Sequence, residues 1–230
     1  MCFNIHNLLK IKIKWSRYHA LLKDLDLKLS YFYVNKVKNP DITVEVGPFK
    51  PILNGCRVYE KRFFVNDNFV YGVGGNWKTK WAIQIKGLNK DKLFVNVDFR
   101  SRSIRGFLTP NAITYILILP LLELMFIKKG YLLVHSAAVS KNGAGYLLAG
   151  RGGAFKTSII MDLIRDFKYK YMGDDRVLIG PSTILSFPTN VLVFEFLLNN
   201  EKNEVMRLSL IHISEPTRPL YISYAVFCLK

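Results

Sequence analysis

Apolar and polar residues alternate along much of the first half of the chain. The alternation over Leu8–Trp15 is typical of a half-buried strand. Beyond Pro40 it recurs in short segments separated by Gly-, Asn- and Asp-rich turn clusters such as Asn54-Gly55. These predicted strands are Ile42–Val46, Arg57–Val65, Phe69–Val73, Trp81–Ile85 and Leu93–Phe99. Residues 40–108 are therefore predicted to form a β-rich, antiparallel region.

The pattern changes after residue 108, where a long apolar segment follows Thr109-Pro110-Asn111. A proline near the start and Lys128 and Lys129 near the end predict a helix that Gly130 closes. Its apolar core is too short for the roughly 20 residues that a membrane-spanning helix needs. We expect a buried helix and no membrane association.

Strands and one further helix are predicted after that segment. Leu132–Val139 and Gly145–Ala149 are predicted as strands, Lys156 to about Arg165 as a helix, and Tyr169–Met172 as another strand. The chain is therefore predicted to have a mixed α/β fold, in which a β-rich region over 1–108 precedes an α/β core over 109–207.

The last 23 residues, 208–230, form a third predicted section. Leu208–Arg218 and Ile222–Lys230 resemble the translation of the two ends of a transposase-type sequencing adapter, with three codons between them that would fit an index. We predict that this tail is not native and that the core is truncated near Arg207. The alternative is a genuine β-strand tail.

Composition excludes a disordered chain, because half of the residues are apolar and 13% are aromatic. The three cysteines are widely spaced and odd in number, so they predict neither a disulfide framework nor a zinc site. The first six residues lack the pattern of a secretory signal. A reduced, cytoplasmic setting is expected.

Positive charge is concentrated in the first half. The formal net charge is +16, and residues 1–110 hold 20 Lys and Arg against 8 Asp and Glu, whereas 111–207 hold 11 against 8. This asymmetry favours an acidic partner or nucleic acid. It also fits the Lys- and Asn-rich composition of an AT-rich genome. Because the basic residues are scattered rather than set on one helical face, nucleic acid is the weaker expectation.

A glycine-containing loop carries the most informative motif. It reads Gly150-Arg151-Gly152-Gly153-Ala154-Phe155-Lys156-Thr157-Ser158 and follows a predicted strand. It matches the phosphate-binding Walker A pattern G-x-x-x-x-G-K-[ST] except at Phe155, where the second glycine belongs. Such a loop binds phosphates with backbone N–H groups and a lysine, and its hydroxyl binds Mg²⁺. Phenylalanine is expected to fit if its φ is negative. The alternative is a glycine-rich turn with an accidental Lys-Thr pair.

Two adjacent carboxylates, Asp174 and Asp175, end the next predicted strand. Ligand-binding groups lie at such strand ends in α/β sheets. One carboxylate is expected to hold Mg²⁺ and the other to take a proton from an attacking hydroxyl. The alternative is a solvated turn. His135, 21 residues before Lys156, is either a hydrogen-bonded core residue or a catalytic one.

Together these segments resemble the kinase core of HPr kinase/phosphorylase and its relatives, within the wider phosphoenolpyruvate carboxykinase-like group. The resemblance covers about residues 111–180 and rests on His135-Ser-Ala-Ala-Val, the glycine loop and Gly173-Asp-Asp-Arg-Val177. It implies that His135, Asp174 and Asp175 are catalytic, that residues 150–158 bind ATP, and that Thr157 and Asp174 hold Mg²⁺.

The predicted function is therefore an ATP-dependent, Mg²⁺-requiring phosphotransferase. Its acceptor would be a hydroxyl, such as a serine on a small protein, and the enzyme could form a homo-oligomer. The alternative is a non-catalytic nucleotide-binding or scaffold module, in which Phe155 fills the phosphate site and the basic first half binds an acidic partner.

Overall fold

A computed structural model describes residues 1–15, 28–75, 77, 79–101, 113–188 and 225–229. The described chain is a mixed, sheet-rich fold with two α-helices. Its contacts divide it into two compact units, Met1–Lys128 and Lys129–Lys230. The predicted domain boundary at 108/109 lies outside the described residues, and the helix predicted after it belongs to the first unit.

One eight-stranded sheet forms the first unit, in the order β1-β2-β3-β8-β7-β6-β5-β4. The strands are β1 (Cys2–Ile5), β2 (Leu9–Trp15), β3 (Ile42–Val46), β4 (Arg57–Tyr59), β5 (Phe63–Asn66), β6 (Phe69–Gly75), β7 (Thr79–Lys86) and β8 (Leu93–Ser101). Alternation puts Ile11, Ile13, Val44, Val95 and Val97 in the core.

Two details of the sheet differ from the prediction. Strand β3 pairs parallel with both β2 and β8, so the region is not purely antiparallel. The chain crosses from β3 to the far edge and returns through four hairpins, which brings β8 back beside β3. The single strand predicted over Arg57–Val65 is wrong, because Glu60 and Lys61 adopt left-handed φ angles of 50° and 55° and form a turn.

The predicted helix after residue 108 is confirmed over its described part. A π-helical turn at Ile113–Ile118 runs into helix α1 (Leu119–Lys128). Its side chains Leu121, Leu122 and Phe126 are buried. Among the helices that the structure describes, none is long and apolar enough to cross a membrane.

The second unit consists of two sheets and one helix. The strands β9 (Leu132–Val134), β10 (Ala137–Lys141), β11 (Ala144–Ala149), β12 (Lys170–Gly173), β13 (Val177–Ile179), β14 (Ile184–Ser186) and β15 (Ala225–Leu229) accompany helix α2 (Lys156–Phe167). One sheet has the order β12-β10-β11-β15 and the other β14-β13-β9. Strand β15 lies in the predicted adapter-derived tail, whose origin remains a prediction.

The four-stranded sheet packs on both faces. Ala137, Val139 and Leu148 point to one face and contact Ile160 of α2. Ala138 and Leu147 point to the other face and contact Val177 of β13. This sheet therefore lies between the helix and the three-stranded sheet, with its strand ends free to carry a site.

The strand predicted over Leu132–Val139 is two strands in different sheets. Strand β9 pairs with β13, whereas β10 pairs with β11 and β12. His135 and Ser136 occupy the break between them. The side chain of His135 is 55% exposed, so the core-residue interpretation is wrong.

Candidate functional site

The glycine loop directly joins strand β11 to helix α2. Residues 150–155 form the connection, and Lys156 is the first helical residue. The Ala154 N–H donates to the Arg151 carbonyl at 3.1 Å, and Gly153 has a φ of 79°. The loop therefore curls tightly into the N-terminus of α2, whose free N–H groups favour an anion.

Phe155 adopts a left-handed conformation at the N-cap of α2, with φ 54° and ψ 22°. The condition for accommodating phenylalanine in the loop, a negative φ, is therefore not met. The reason is the chain path, because this residue turns the backbone into the helix and its carbonyl accepts from the Ile159 N–H at 3.0 Å. Left-handed backbone costs a non-glycine residue about 1–2 kcal/mol. The side chain is 55% exposed, so the core does not offset this cost.

Lys156 lies folded against the loop that precedes it. Only 8% of the residue is exposed. Its ammonium donates to the carbonyls of Gly150 at 2.8 Å and of Arg151 at 3.1 Å. A buried positive charge is thus held at the loop by neutral carbonyl groups, and no described carboxylate forms a salt bridge with it. This leaves the charge available to an anionic ligand.

Thr157 connects the loop to the first predicted carboxylate. Its Oγ1 donates to Asp174 Oδ1 at 2.9 Å and to Oδ2 at 3.0 Å. Burial raises the pKa of Asp174, and the neighbouring Asp175 raises it further, against the lowering effects of the Thr157 hydrogen bond, Lys156 and His135. The hydroxyl and the carboxylate that the resemblance assigns to Mg²⁺ are therefore in direct contact.

The second carboxylate pairs with the histidine. His135 Nδ1 lies 2.9 Å from Asp175 Oδ1, and both side chains are partly exposed. The guanidinium of Arg176 approaches the other oxygen, with Nε 3.8 Å from Asp175 Oδ2. Asp175 therefore faces solvent between two potential cations. Such a carboxylate can accept a proton or orient the imidazole.

Strand topology explains why these residues meet. Strands β11 and β12 both pair antiparallel with β10, which lies between them, so β11 and β12 run in the same direction. Their carboxyl ends and the start of β10 consequently lie at one edge of the sheet. The loop follows β11, the two aspartates follow β12, and His135 precedes β10.

Gly173 allows the chain to turn sharply at the aspartates. A Cβ atom at this position would overlap the Arg176 carbonyl oxygen and would come within 3.2 Å of the Phe187 carbonyl oxygen. Both obstacles are backbone atoms that cannot swing aside. The orientation of Asp174 and Asp175 therefore depends on glycine at 173.

Arg176 belongs to the segment Gly173–Val177 that carries the family resemblance, but the sequence alone assigned it no role. Its side chain is 18% exposed and reaches toward Asp175. Its position directly after two carboxylates was the available signal. Among the remaining loop residues, Gly152 faces open space, Ala154 is buried, and Ser158 lies in the first turn of α2.

The residues at Thr157 and Asp174 suit Mg²⁺ by their chemistry. Mg²⁺ prefers hard oxygen donors and is usually held by one or two carboxylates together with phosphates and water. A hydroxyl and a carboxylate already in contact satisfy this requirement. Within the described ranges, no group of three or more His, Cys, Asp or Glu residues could hold a metal ion alone. Phosphate oxygens would have to complete such a site.

Comparison with protein-family models, with curated proteins and with solved structures gives no significant match for this chain.

Proposed function

We propose that this chain is a cytoplasmic, ATP-dependent and Mg²⁺-requiring phosphotransferase with an HPr-kinase-like phosphate-loop core. The supporting observation is the convergence of Lys156, Thr157, Asp174 and the His135–Asp175 pair at one sheet edge. Each of these residues has a distinct role in phosphoryl transfer, which depends mostly on positioning and charge neutralisation.

Lys156 and the loop amides would bind the triphosphate. The ammonium would exchange its bonds to the Gly150 and Arg151 carbonyls for bonds to phosphate oxygens, which are stronger because both partners are charged. Thr157 and Asp174 would hold Mg²⁺, which when bound neutralises charge on the phosphates. The pKa of Asp174 is raised mainly by burial, and a divalent ion held by this carboxylate would lower it.

Asp175 would act as the base. The acceptor oxygen attacks the γ-phosphorus, the new O–P bond forms as the bond to the β–γ bridging oxygen breaks, and ADP leaves. Asp175 takes the acceptor's proton and His135 orients the carboxylate through the 2.9 Å contact. The hydroxyl acceptor, proposed to be a serine on a small protein, would approach from the exposed side of this pair.

Hydrolysis of ATP, with water as the simplest hydroxyl acceptor, tests the proposal. Phosphate release from γ-labelled ATP is expected for the unmodified chain with Mg²⁺, and Asp175→Asn should bind ATP but release less than about one per cent as much phosphate, the size of a typical general-base contribution. Lys170→Ala, which removes an exposed lysine from β12, is the control. Wild-type hydrolysis by Asp175→Asn would contradict the assignment.

The second candidate is a nucleotide-binding module without transfer activity. Phe155 favours it, since a strained aromatic residue stands where the phosphate loop pattern has glycine. This candidate predicts binding of Mg-ATP with no phosphate release by any variant. Measuring Mg-ATP binding together with phosphate release therefore separates the two functions.

A further inference from the structure

A pocket of about 540 Å³ lies in the first unit at the turn between β7 and β8, and its lining contains no residue of the candidate site. Its lining includes Lys86, Lys90, Lys92 and Phe94. Lys86 and Phe94 are directly opposite each other on the two strands, so their side chains share one face of the sheet. Phe94, the second residue of β8, is 53% exposed, so its ring is accessible to a ligand.

The positive charge of this pocket is only partly compensated. Among the described residues, no carboxylate forms an ion pair with Lys86, Lys90 or Lys92. Asp91 is the one acidic residue in the lining, which leaves a formal charge of +2 at neutral pH. The scattered basic residues of the first half are thus partly gathered by the fold around one exposed aromatic ring.

The turn that carries the lysines is held by hydrogen bonds from two directions. The Asn68 carbonyl accepts from the Gly87 N–H at 2.9 Å and from the Leu88 N–H at 3.3 Å. Lys128 donates to the carbonyls of Leu88 at 2.5 Å and Lys90 at 2.8 Å. Gly87 has a φ of 92°, and a Cβ there would overlap the Lys92 carbonyl oxygen. The lysines therefore project from a fixed backbone, which lowers the entropy cost of binding.

We infer that this pocket binds a small organic dianion, of which a phosphate monoester on an apolar group is the simplest example. The phosphate carries about −1.5 to −2 charge at neutral pH, which matches the lining. The organic group would lie on the ring of Phe94. The volume is that of a small-molecule site.

The same features disfavour a nucleic-acid strand as the occupant. Single strands are bound by a series of aromatic platforms along a continuous basic groove. Here one aromatic ring lines the pocket, and Asp91 interrupts the basic surface with a negative charge. A compact anion can avoid this carboxylate, whereas a row of phosphates would pass beside it.

Phenyl phosphate is the probe, and titration of the full-length chain followed by protein NMR or calorimetry is the measurement. We expect saturable binding, at least tenfold weaker binding of inorganic phosphate, and no binding of benzyl alcohol. The triple variant Lys86→Gln, Lys90→Gln, Lys92→Gln should lose roughly tenfold or more in affinity, because hydrogen bonds to charged groups are lost. Phe94→Ala should remove the preference for phenyl phosphate over inorganic phosphate.

A charge-matched triple variant, Lys36→Gln, Lys38→Gln, Lys50→Gln, is the control and should bind within about twofold of the unmodified chain. Unchanged unfolding curves would show that both triple variants fold. Equal losses in the two triple variants, equal affinity for both phosphates, or no saturation at about 10 mM would overturn the inference. Tighter binding of a single-stranded oligonucleotide, with a steep salt dependence, would overturn it in favour of nucleic acid.

Discussion

The left-handed backbone of Phe155 leads to a prediction with an unusual sign. Replacing alanine by glycine normally destabilises an element, by about 0.5–1 kcal/mol. At Phe155 the φ of 54° reverses this, because glycine adopts such angles without steric cost. Glycine relieves about 1–2 kcal/mol of backbone strain in the folded state. It also adds conformational entropy to the unfolded state, which costs about 0.4–1 kcal/mol of stability, so the balance favours glycine. Phe155→Gly should therefore be about 0.5–1 kcal/mol more stable than Phe155→Ala.

Native-state hydrogen exchange on helix α2 is the appropriate assay. The chain has two units, so a single unfolding transition is not guaranteed, and all three tryptophans, Trp15, Trp77 and Trp81, lie in the first unit. Amide protection within Lys156–Phe167 instead reports the free energy of opening at the helix itself. Comparing alanine with glycine cancels the loss of the aromatic ring.

Two further positions on the same helix provide controls. Lys168 at the C-cap is also left-handed, with φ 58°. Lys168→Gly should therefore protect the α2 amides better than Lys168→Ala does. At Ser158, in the first turn, the order should be opposite: Ser158→Ala should give α2 a free energy of opening up to about 1 kcal/mol higher than Ser158→Gly does. If Phe155→Gly protects α2 less than Phe155→Ala while the controls behave as expected, the strain argument is wrong.

Two other predictions concern the aspartate turn. Because burial raises the pKa of Asp174, the folded state holds the carboxyl proton more tightly than the unfolded state does. The stability that this proton contributes is complete below the unfolded-state pKa of about 3.9 and is lost as pH rises through the folded-state pKa. Asp174→Asn should therefore gain stability over the wild type between acid and neutral pH, as measured by protection of the second unit at a series of pH values. A difference that does not change with pH would refute this. Gly173→Ala should destabilise the second unit by about 1–3 kcal/mol because its Cβ overlaps backbone, whereas Gly152→Ala, with open space, should change stability by less than about 0.5 kcal/mol. Equal effects of the two substitutions on amide protection of the second unit would show that the turn is not constrained.

The regular parts of the fold were predictable because their patterns are local. Alternation identified β2, β3 and β8, since each buries alternate residues. The sequence pattern also identified β6 and β7, which are bounded by turn residues. Strand β1 is only four residues long and gives too little pattern. The turn at Glu60 and Lys61 uses left-handed angles without glycine, so it leaves no compositional signal. Parallel pairing of β3 depends on the whole crossover and cannot be inferred from one segment.

In the candidate site too, local motifs were predictable from the sequence, whereas contacts that depend on the fold were not. The loop motif and the aspartate pair at the next strand end predicted one site, and the family resemblance assigned Thr157 and Asp174 to the same Mg²⁺ ion. The His135–Asp175 contact could not be derived from spacing, because it depends on β9 and β10 belonging to different sheets. Apolar residues on both sides of His135 and Ser136 hide that break, because the whole segment then has the pattern of one buried strand. The conformation of Phe155 is set by the path into α2, which residue type alone predicts wrongly.

Binding of Mg-ATP is the most direct test of the central claim, that this loop holds a triphosphate beside two carboxylates. Calorimetric titration of the full-length chain should show saturable heat that depends on Mg²⁺, and Lys156→Ala should abolish it while Lys170→Ala leaves it unchanged. Absence of binding to the unmodified chain, or equal binding by Lys156→Ala, would contradict the account.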